Sequence, residues 1–293
     1  MEKSALFVGL TTLDLIYLAD SPPQNNQKLV ATDYTVAAGG PATNAAVTFS
    51  YLGNQAILLS VLGSHPMTQL IRTDLATFPV TVIDLDPSKN TPPPVSSIIV
   101  TQATGERAVI SINAVKTQAN SSSIPTDILS NVDIVLIDGH QIAVSRAIAT
   151  LAAGTAQIAK TQHIPIAIDG GSWKPGFEQI LPFVDYAICS ANFYPPNCHN
   201  IQDVFAYLHS FNIPHIVITQ GKNPIQYSNH GNHGFVNVPE IQPVDTLGAG
   251  DIFHGAFCHY ILQTNFIDAL QQAANIATEA CKSFGTRRWM EIS

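Results

Sequence analysis

The residues best suited to chemistry stand together near the C-terminal end of the chain, in Asp245-Thr246-Leu247-Gly248-Ala249-Gly250-Asp251, which runs into the apolar segment Ile252 to Phe257. Glycines flanking an alanine ahead of a helical pattern describe a turn whose backbone amides point out of a helix N-terminus. Those orphan amides and the positive end of the helix dipole favour an anion, phosphate above all. A carboxylate at the rim of such an anion hole is what phosphoryl transfer to a hydroxyl requires. The amides of Gly248, Ala249 and Gly250 neutralise the moving group while Asp251 accepts the hydroxyl proton. An aspartate ionised at neutral pH suffices, because the hydroxyl turns acidic only as its bond to phosphorus forms. The competing reading of Asp251 is a helix N-cap, since Gly-x-Gly-Asp is ordinary turn chemistry.

The elements that position this stretch follow from hydrophobic pattern. Ala5 to Gly9 is a short continuous apolar run, expected of a strand buried on both faces of a parallel sheet, with Asp14 just beyond its end. From Pro22 to Ala38 the pattern is polar and loosely alternating, which predicts exposed strands outside the main sheet. Gly39-Gly40-Pro41 opens a helix through Tyr51 that carries Asn44 in its first turn and stops at Gly53. Strands are predicted at Ile57 to Leu62 and Val80 to Leu85 around a helix near Met67 to Thr77. Thr91 to Pro94 is a stiff spacer. Val95 to Thr101 and Arg107 to Ile112 then form a hairpin that joins the earlier exposed strands in a small flap.

Beyond the flap, strand and helix alternate, the pattern of a doubly wound parallel sheet. Strands end at Asp138-Gly139-His140, at Asp169-Gly170-Gly171, at Ser190-Ala191-Asn192 and at Gln220-Gly221, with helices at Ser145 to Lys160 and Ile201 to Ser210. A final helix spans Asp268 to Phe284. Polar residues recur just past these strand ends, the edge at which open α/β sheets bind ligands.

Composition narrows the function classes. The 293 residues are 46% apolar, enough for a sizeable core, while only 12% are charged and the net charge is −8. General electrostatic attraction to nucleic acid or anionic lipid is therefore not expected, and phosphate binding must be local. Asp14 interrupts what could imitate a signal segment, no apolar run reaches membrane-spanning length, and four scattered cysteines fit a reducing cytoplasm. No GxxxxGK[ST] loop occurs, and the GxGxx at Gly248 meets Phe253 where a dinucleotide fingerprint has its third glycine. The ten histidines show no metal-ligand spacing; His230 to His233 reads as a hairpin turn.

Asp245 to Asp251 resembles the C-terminal signature D-T-x-G-A-G-D of the ribokinase-like (PfkB) carbohydrate kinases, every defined position matching. Gly39-Gly40-Pro41-Ala42-Thr43-Asn44 resembles that family's N-terminal G-G-x-x-x-N, so the resemblance spans the chain as one kinase domain over residues 1–293. It implies a ribokinase-like α/β fold with a mostly parallel sheet and a β-sheet lid, here about 15–38 and 92–113. It further implies ATP-dependent phosphorylation of a sugar, with magnesium accompanying ATP.

By the same resemblance Asp14, Gly39, Gly40 and Asn44 bind substrate hydroxyls, although Asp14 also reads as a solvated loop acid and Asn44 as a helix cap. Arg107 resembles a lid arginine reaching toward substrate or phosphates, with an exposed strand arginine as the alternative. Asn192, Thr219, Gly221, Thr246 and Asn275 fall on the nucleotide side. Trp173 and Lys174 either line that side or pack a loop.

The chain departs from the family pattern in three places. Pro195 replaces the acid of N-x-x-E, Pro41 replaces the lysine that ribokinases often carry after Gly-Gly, and Lys222-Asn223-Pro224 follows Gly221 without a second glycine. Pro41 tilts the expected substrate away from ribose, toward a ketohexokinase-like or fructokinase-like enzyme. A nucleoside kinase, with Tyr34 clamping the base, and a non-catalytic sugar- or nucleotide-binding regulator are the alternatives. A homodimer through the lid is expected from its strand edges.

Overall fold

A computed structural model describes residues 2–112, 118–154 and 163–291. The chain begins β1 (Ser4–Val8), β2 (Thr12–Ala19), β3 (Asp33–Gly39), α1 (Pro41–Tyr51), β4 (Gln55–Ser60), α2 (Thr68–Leu75), β5 (Val80–Asp84), β6 (Val95–Thr101) and β7 (Arg107–Ser111). It continues β8 (Ile134–Ile137), α3 (Ile142–Ala152), β9 (Ile166–Gly170), β10 (Tyr186–Ser190), α4 (Ile201–His209), β11 (His215–Gln220), β12 (Asn223–Asn229), β13 (Asn232–Val236), α5 (Ala249–Ile261) and α6 (Phe266–Ala280).

A nine-stranded sheet runs in the order β13-β12-β11-β10-β9-β8-β1-β4-β5. It is parallel from β11 to β5, with β12 and β13 added antiparallel at one edge. Strand β1 shows why the centre holds: Ala5, Leu6, Phe7 and Val8 are all fully buried. Leu6 and Val8 pack toward α3 and α4, whereas Ala5 and Phe7 pack toward α1 and α2. Each such large side chain contributes roughly 1.5–3 kcal/mol by leaving water. Helices α5 and α6 cover β10 to β13 through Phe253, Phe257, Phe266 and Leu270. The order reverses between β8 and β1, the place where a doubly wound sheet opens a crevice.

A separate four-stranded sheet runs β3-β2-β6-β7, with β2 parallel to β6 and the outer pairs antiparallel. The expected flap is present but starts earlier, at Thr12, and residues 21–32 connect its strands without being strands themselves. Asp14 is corrected accordingly: it lies within β2, paired in register with Ala37 and Ser96, and not in a loop after β1. Strand β1 ends at Val8, Gly9 lies against the Asp138 carboxylate with no room for a side chain, and the chain enters the second sheet at Thr12.

Other boundaries shift by a few residues, and the last helix stops at Ala280. The expected helix Ser145 to Lys160 is described only to Ala152, and residues 155–160 lie outside the described residues, as does residue 113 of the expected lid. His230 and Gly231, both at positive φ, turn the β12–β13 hairpin where the sequence predicts it.

Candidate active site

Both glycine signatures converge on one carboxylate. Helix α1 starts at Pro41 behind Gly40, whose φ of 98° and close approach to the Leu10 carbonyl leave no room for a side chain. A Cβ on Gly39 would overlap the Asp14 carboxylate, so the glycine pair lets β3 pass directly against that acid. Helix α5 starts behind Gly248, which takes a left-handed φ of 70° and offers no side-chain cap. Its first turn thus has no side-chain cap; the Ala249 N–H makes a long 3.4 Å bond to the Thr246 carbonyl. Asp251 lies inside that first turn and is not the N-cap.

Helices α1 and α5 cross where Gly255 meets the Ala45 carbonyl and Thr48. That closeness puts the Asn44 amide 2.8 Å from Asp251 Oδ2 as its donor. Asn44 is 3% exposed and its backbone N–H bonds normally to the Gly40 carbonyl, so it is no cap.

The site holds several acids and few cations. Asp14 is buried and receives a hydrogen bond from the Thr12 hydroxyl at 2.7 Å. Burial pushes its carboxyl up, against hydrogen bonds from Thr12 and Ser96 and the charge of Arg287. Asp251 is pushed up to about 7, first by burial and then by the charge of Asp169, with the Asn44 hydrogen bond, His254 and Arg107 pulling the other way. Asp251, expected to be ordinary and ionised at neutral pH, is thus held above the usual carboxylate range.

Asp245 fixes the loop ahead of α5, accepting from Leu247 N–H and Gly285 N–H, each at 2.8 Å. Thr246, expected beside a nucleotide, ties the loop ahead of α5 to the β6–β7 turn of the second sheet. Its amide and hydroxyl donate to the Gly105 carbonyl at 3.1 and 3.0 Å, and Arg107 Nη1 donates to its carbonyl and hydroxyl at 3.1 and 3.2 Å. Arg107 therefore reaches from β7 to the rim of the anion turn.

Thr219, next to last in β11, donates its hydroxyl to the Cys189 carbonyl at 3.4 Å, and Gly221, just past the strand, has φ 60° with open space around it. Asn192 is exposed after β10, its backbone N–H donating to the Ser190 hydroxyl at 3.0 Å. Asn275 is exposed on α6 and accepts from Gln271 at 3.3 Å. These four residues do not touch the Asp14, Asn44 and Asp251 cluster. Trp173 packs with Phe177, Phe193 and Tyr207, and Lys174 lies over the Phe177 ring, so the loop after β9 is a packed one.

Sequence reasoning missed Arg287. Its guanidinium donates to Asn44 Oδ1 at 3.0 Å, to the Ala38 carbonyl at 2.7 Å and to Asp74 at 3.2 Å, which ties α1, β3 and α2 together. Nothing local marks Arg287 in Gly285-Thr286-Arg287-Arg288; only the fold carries it back to Asn44. Asp138 was legible as a strand-end acid but not as a hub: it accepts from Leu10, Ala42 and His140 amides at 2.8, 3.3 and 2.9 Å.

Among the described residues no three His, Cys, Asp or Glu side chains gather to hold a metal ion. A magnesium ion here would depend on phosphate oxygens and water, which is its usual habit at nucleotide sites.

A doubly wound sheet with a second sheet across its ligand edge, and a carboxylate beside an open helix N-terminus, define a small-molecule phosphotransferase. The model of the pfkB family of carbohydrate kinases matches residues 2–292, and the chain belongs to that family. It is an ATP-dependent carbohydrate kinase. The ribokinase of Bacillus subtilis is 24% identical over 303 residues, covering 98% of this chain and 96% of its own. The deoxyribokinase of Salmonella typhi is 22% identical, covering 91% of this chain and 88% of its own. Among solved structures, the ribokinase of Thermotoga maritima superposes with a TM-score of 0.76 at 18% identity, covering 100% of this chain and 99% of its own. The Arabidopsis thaliana ribokinase complexed with ribose and ATP gives 0.70 at 19% identity, covering both chains fully.

Proposed function

We propose that the chain phosphorylates a hydroxyl of a free monosaccharide, with Asp251 as general base. Asp14, Gly39, Gly40 and Asn44 hold the sugar, and the amides of Gly248, Ala249 and Gly250 receive the phosphoryl group from ATP. The observation that carries this reading is the 2.8 Å bond between Asn44 and Asp251, which brings the acceptor side and the anion turn to a single carboxylate.

Asp251 takes the proton as the acceptor oxygen bonds to phosphorus, and Asn44 steadies the ionised form by donating to it. Magnesium, bridging phosphate oxygens, supplies charge neutralisation when ATP is bound. Asn192, Thr219, Gly221, Thr246 and Asn275 would take the nucleotide, and Thr246 with Arg107 couples the lid to the anion turn.

The relatives named as ribokinase and deoxyribokinase make a pentose the first acceptor to try, and neither supports the ketohexokinase-like or fructokinase-like subtype. The nucleoside alternative loses its clamp. Tyr34 stands on the face of the second sheet opposite Asp14, since Asp14 pairs with Ala37 and side chains alternate. The acidic balance of −8 speaks against nucleic acid as a partner. Among the described residues no helix is long and apolar enough to cross a membrane, and a cytoplasmic location is proposed from the cysteine usage.

The test is MgATP turnover over ribose, deoxyribose, ketohexoses, aldohexoses and nucleosides, with Asp251→Asn as control. Sugar turnover that falls by about 10²-fold or more in the variant supports the reading. Full activity in Asp251→Asn, or turnover of nucleosides alone, sinks it.

A further inference from the structure

His254 stands one turn after Asp251 on α5 and is 4% exposed. Its Nδ1 lies 2.6 Å from the Gly250 carbonyl and 3.5 Å from Asp169 Oδ2, and its Nε2 lies 3.1 Å from the Ile188 carbonyl of β10. Both ring nitrogens thus face oxygen acceptors. The ring therefore bridges its own helix to β9 and β10 through three oxygen contacts.

Asp169, at the end of β9, is likewise buried, and its other oxygen accepts from Gly171 N–H at 2.9 Å. The ring therefore joins the turn that carries the anion-hole amides to β9 and β10. Among the described residues Asp169 from β9 and Asp251 on its own helix carry charge beside it, and Arg107 of β7 acts on Asp251 as well. Lys174, in the loop after β9, acts with Asp169 on the Cys189 thiol of β10.

Resting on the kinase reading above, we propose that His254 is a positioning residue for phosphoryl transfer. It pins the Gly250 carbonyl to the central sheet and covers the buried Asp169 carboxylate, so that the ionised form of Asp251 is favoured beside it. Asp169 opposes the charge of Asp251 and His254 favours it, in keeping with their places in the site.

The test uses the full chain without ligand first. Carboxyl ¹³C NMR follows the titration of Asp251 in wild type, His254→Gln, His254→Phe, and His254→Phe combined with Asp169→Asn. His254→Phe should move the Asp251 midpoint to higher pH, His254→Gln should move it less, and the added Asp169→Asn should bring it back down. With MgATP and the sugar turned over fastest, kcat in His254→Phe should fall by about 10- to 100-fold with little change in KM, as for lost support of an anion hole.

A folded His254→Phe whose Asp251 titration is unmoved overturns the proposal. So does a shift that Asp169→Asn leaves in place. If His254→Phe fails to fold, His254→Gln, alone and with Asp169→Asn, gives the same two measurements, and an unmoved midpoint or a shift that persists overturns the proposal there as well. The NMR titration needs no turnover, so failure of the kinase reading, seen in Asp251→Asn, is told apart from failure of this one.

Discussion

Asp251 carries opposed demands. To accept a proton it must be ionised, yet burial and Asp169 push its carboxyl up to about 7. For the free enzyme, kcat/KM should therefore fall as pH drops below about 7, approaching tenfold per pH unit, and a rate profile from pH 5 to 9 checks this. The same shift costs stability. The folded carboxyl keeps its proton to about 7, whereas the unfolded one releases it at ~3.9. Folding then takes up a proton, and stability declines as pH rises through that window. Asp251→Asn should melt higher than wild type at pH 8, by about 2–4 °C per kcal/mol recovered, and no higher at pH 4. A variant that is less active and no more stable at pH 8 would show that the carboxylate is better compensated than its surroundings indicate.

At the scale of elements, the site depends on how closely two helices approach. Gly255 has no side chain where α5 meets the Ala45 carbonyl and Thr48 of α1. Gly255→Val should force them apart, destabilise the chain by about 1–3 kcal/mol in urea unfolding, and lower kcat by lengthening the Asn44 to Asp251 bond. Unfolding and activity that both match wild type would mean that the helices have slack. The lid is an element of the same kind. Its β6–β7 turn is fastened to the anion turn through Gly105, Arg107 and Thr246, so movement of one is passed to the other.

At the scale of the whole molecule, one face of the second sheet carries exposed apolar side chains among the described residues. On the second sheet, Ile16, Ile98 and Val100 turn inward against Phe284. On the opposite face Tyr17, Tyr34, Val36 and Ile110 are 39%, 67%, 38% and 74% exposed. A second copy of the chain, laid face to face across the lids, would cover them, and we propose that dimer. Light scattering over a range of concentrations should give a dimer for wild type and a monomer for Ile110→Asp. A wild-type monomer at every concentration would rule the dimer out.

The sequence by itself determined the elements and the two glycine signatures, because both are written in short-range pattern. A buried parallel strand such as β1 is an unbroken apolar run, and Gly39-Gly40 and Gly248 mark turns that few other residues can make. It also placed Asp251 beside an anion turn and Asn44 at a helix start. What it could not show is what those side chains meet. Asp14 reads only as an acid just past the first strand, because a short apolar run followed by an acid does not say that the chain has crossed to another sheet.

Asn44 and Asp251, Arg287 and Asn44, and His254 and Asp169 are each joined across long stretches of chain. Only tertiary structure decided those pairings, and with them the charge on the base. Burial and the sign of neighbouring charges belong to the packed site, and no local pattern of residue types encodes them.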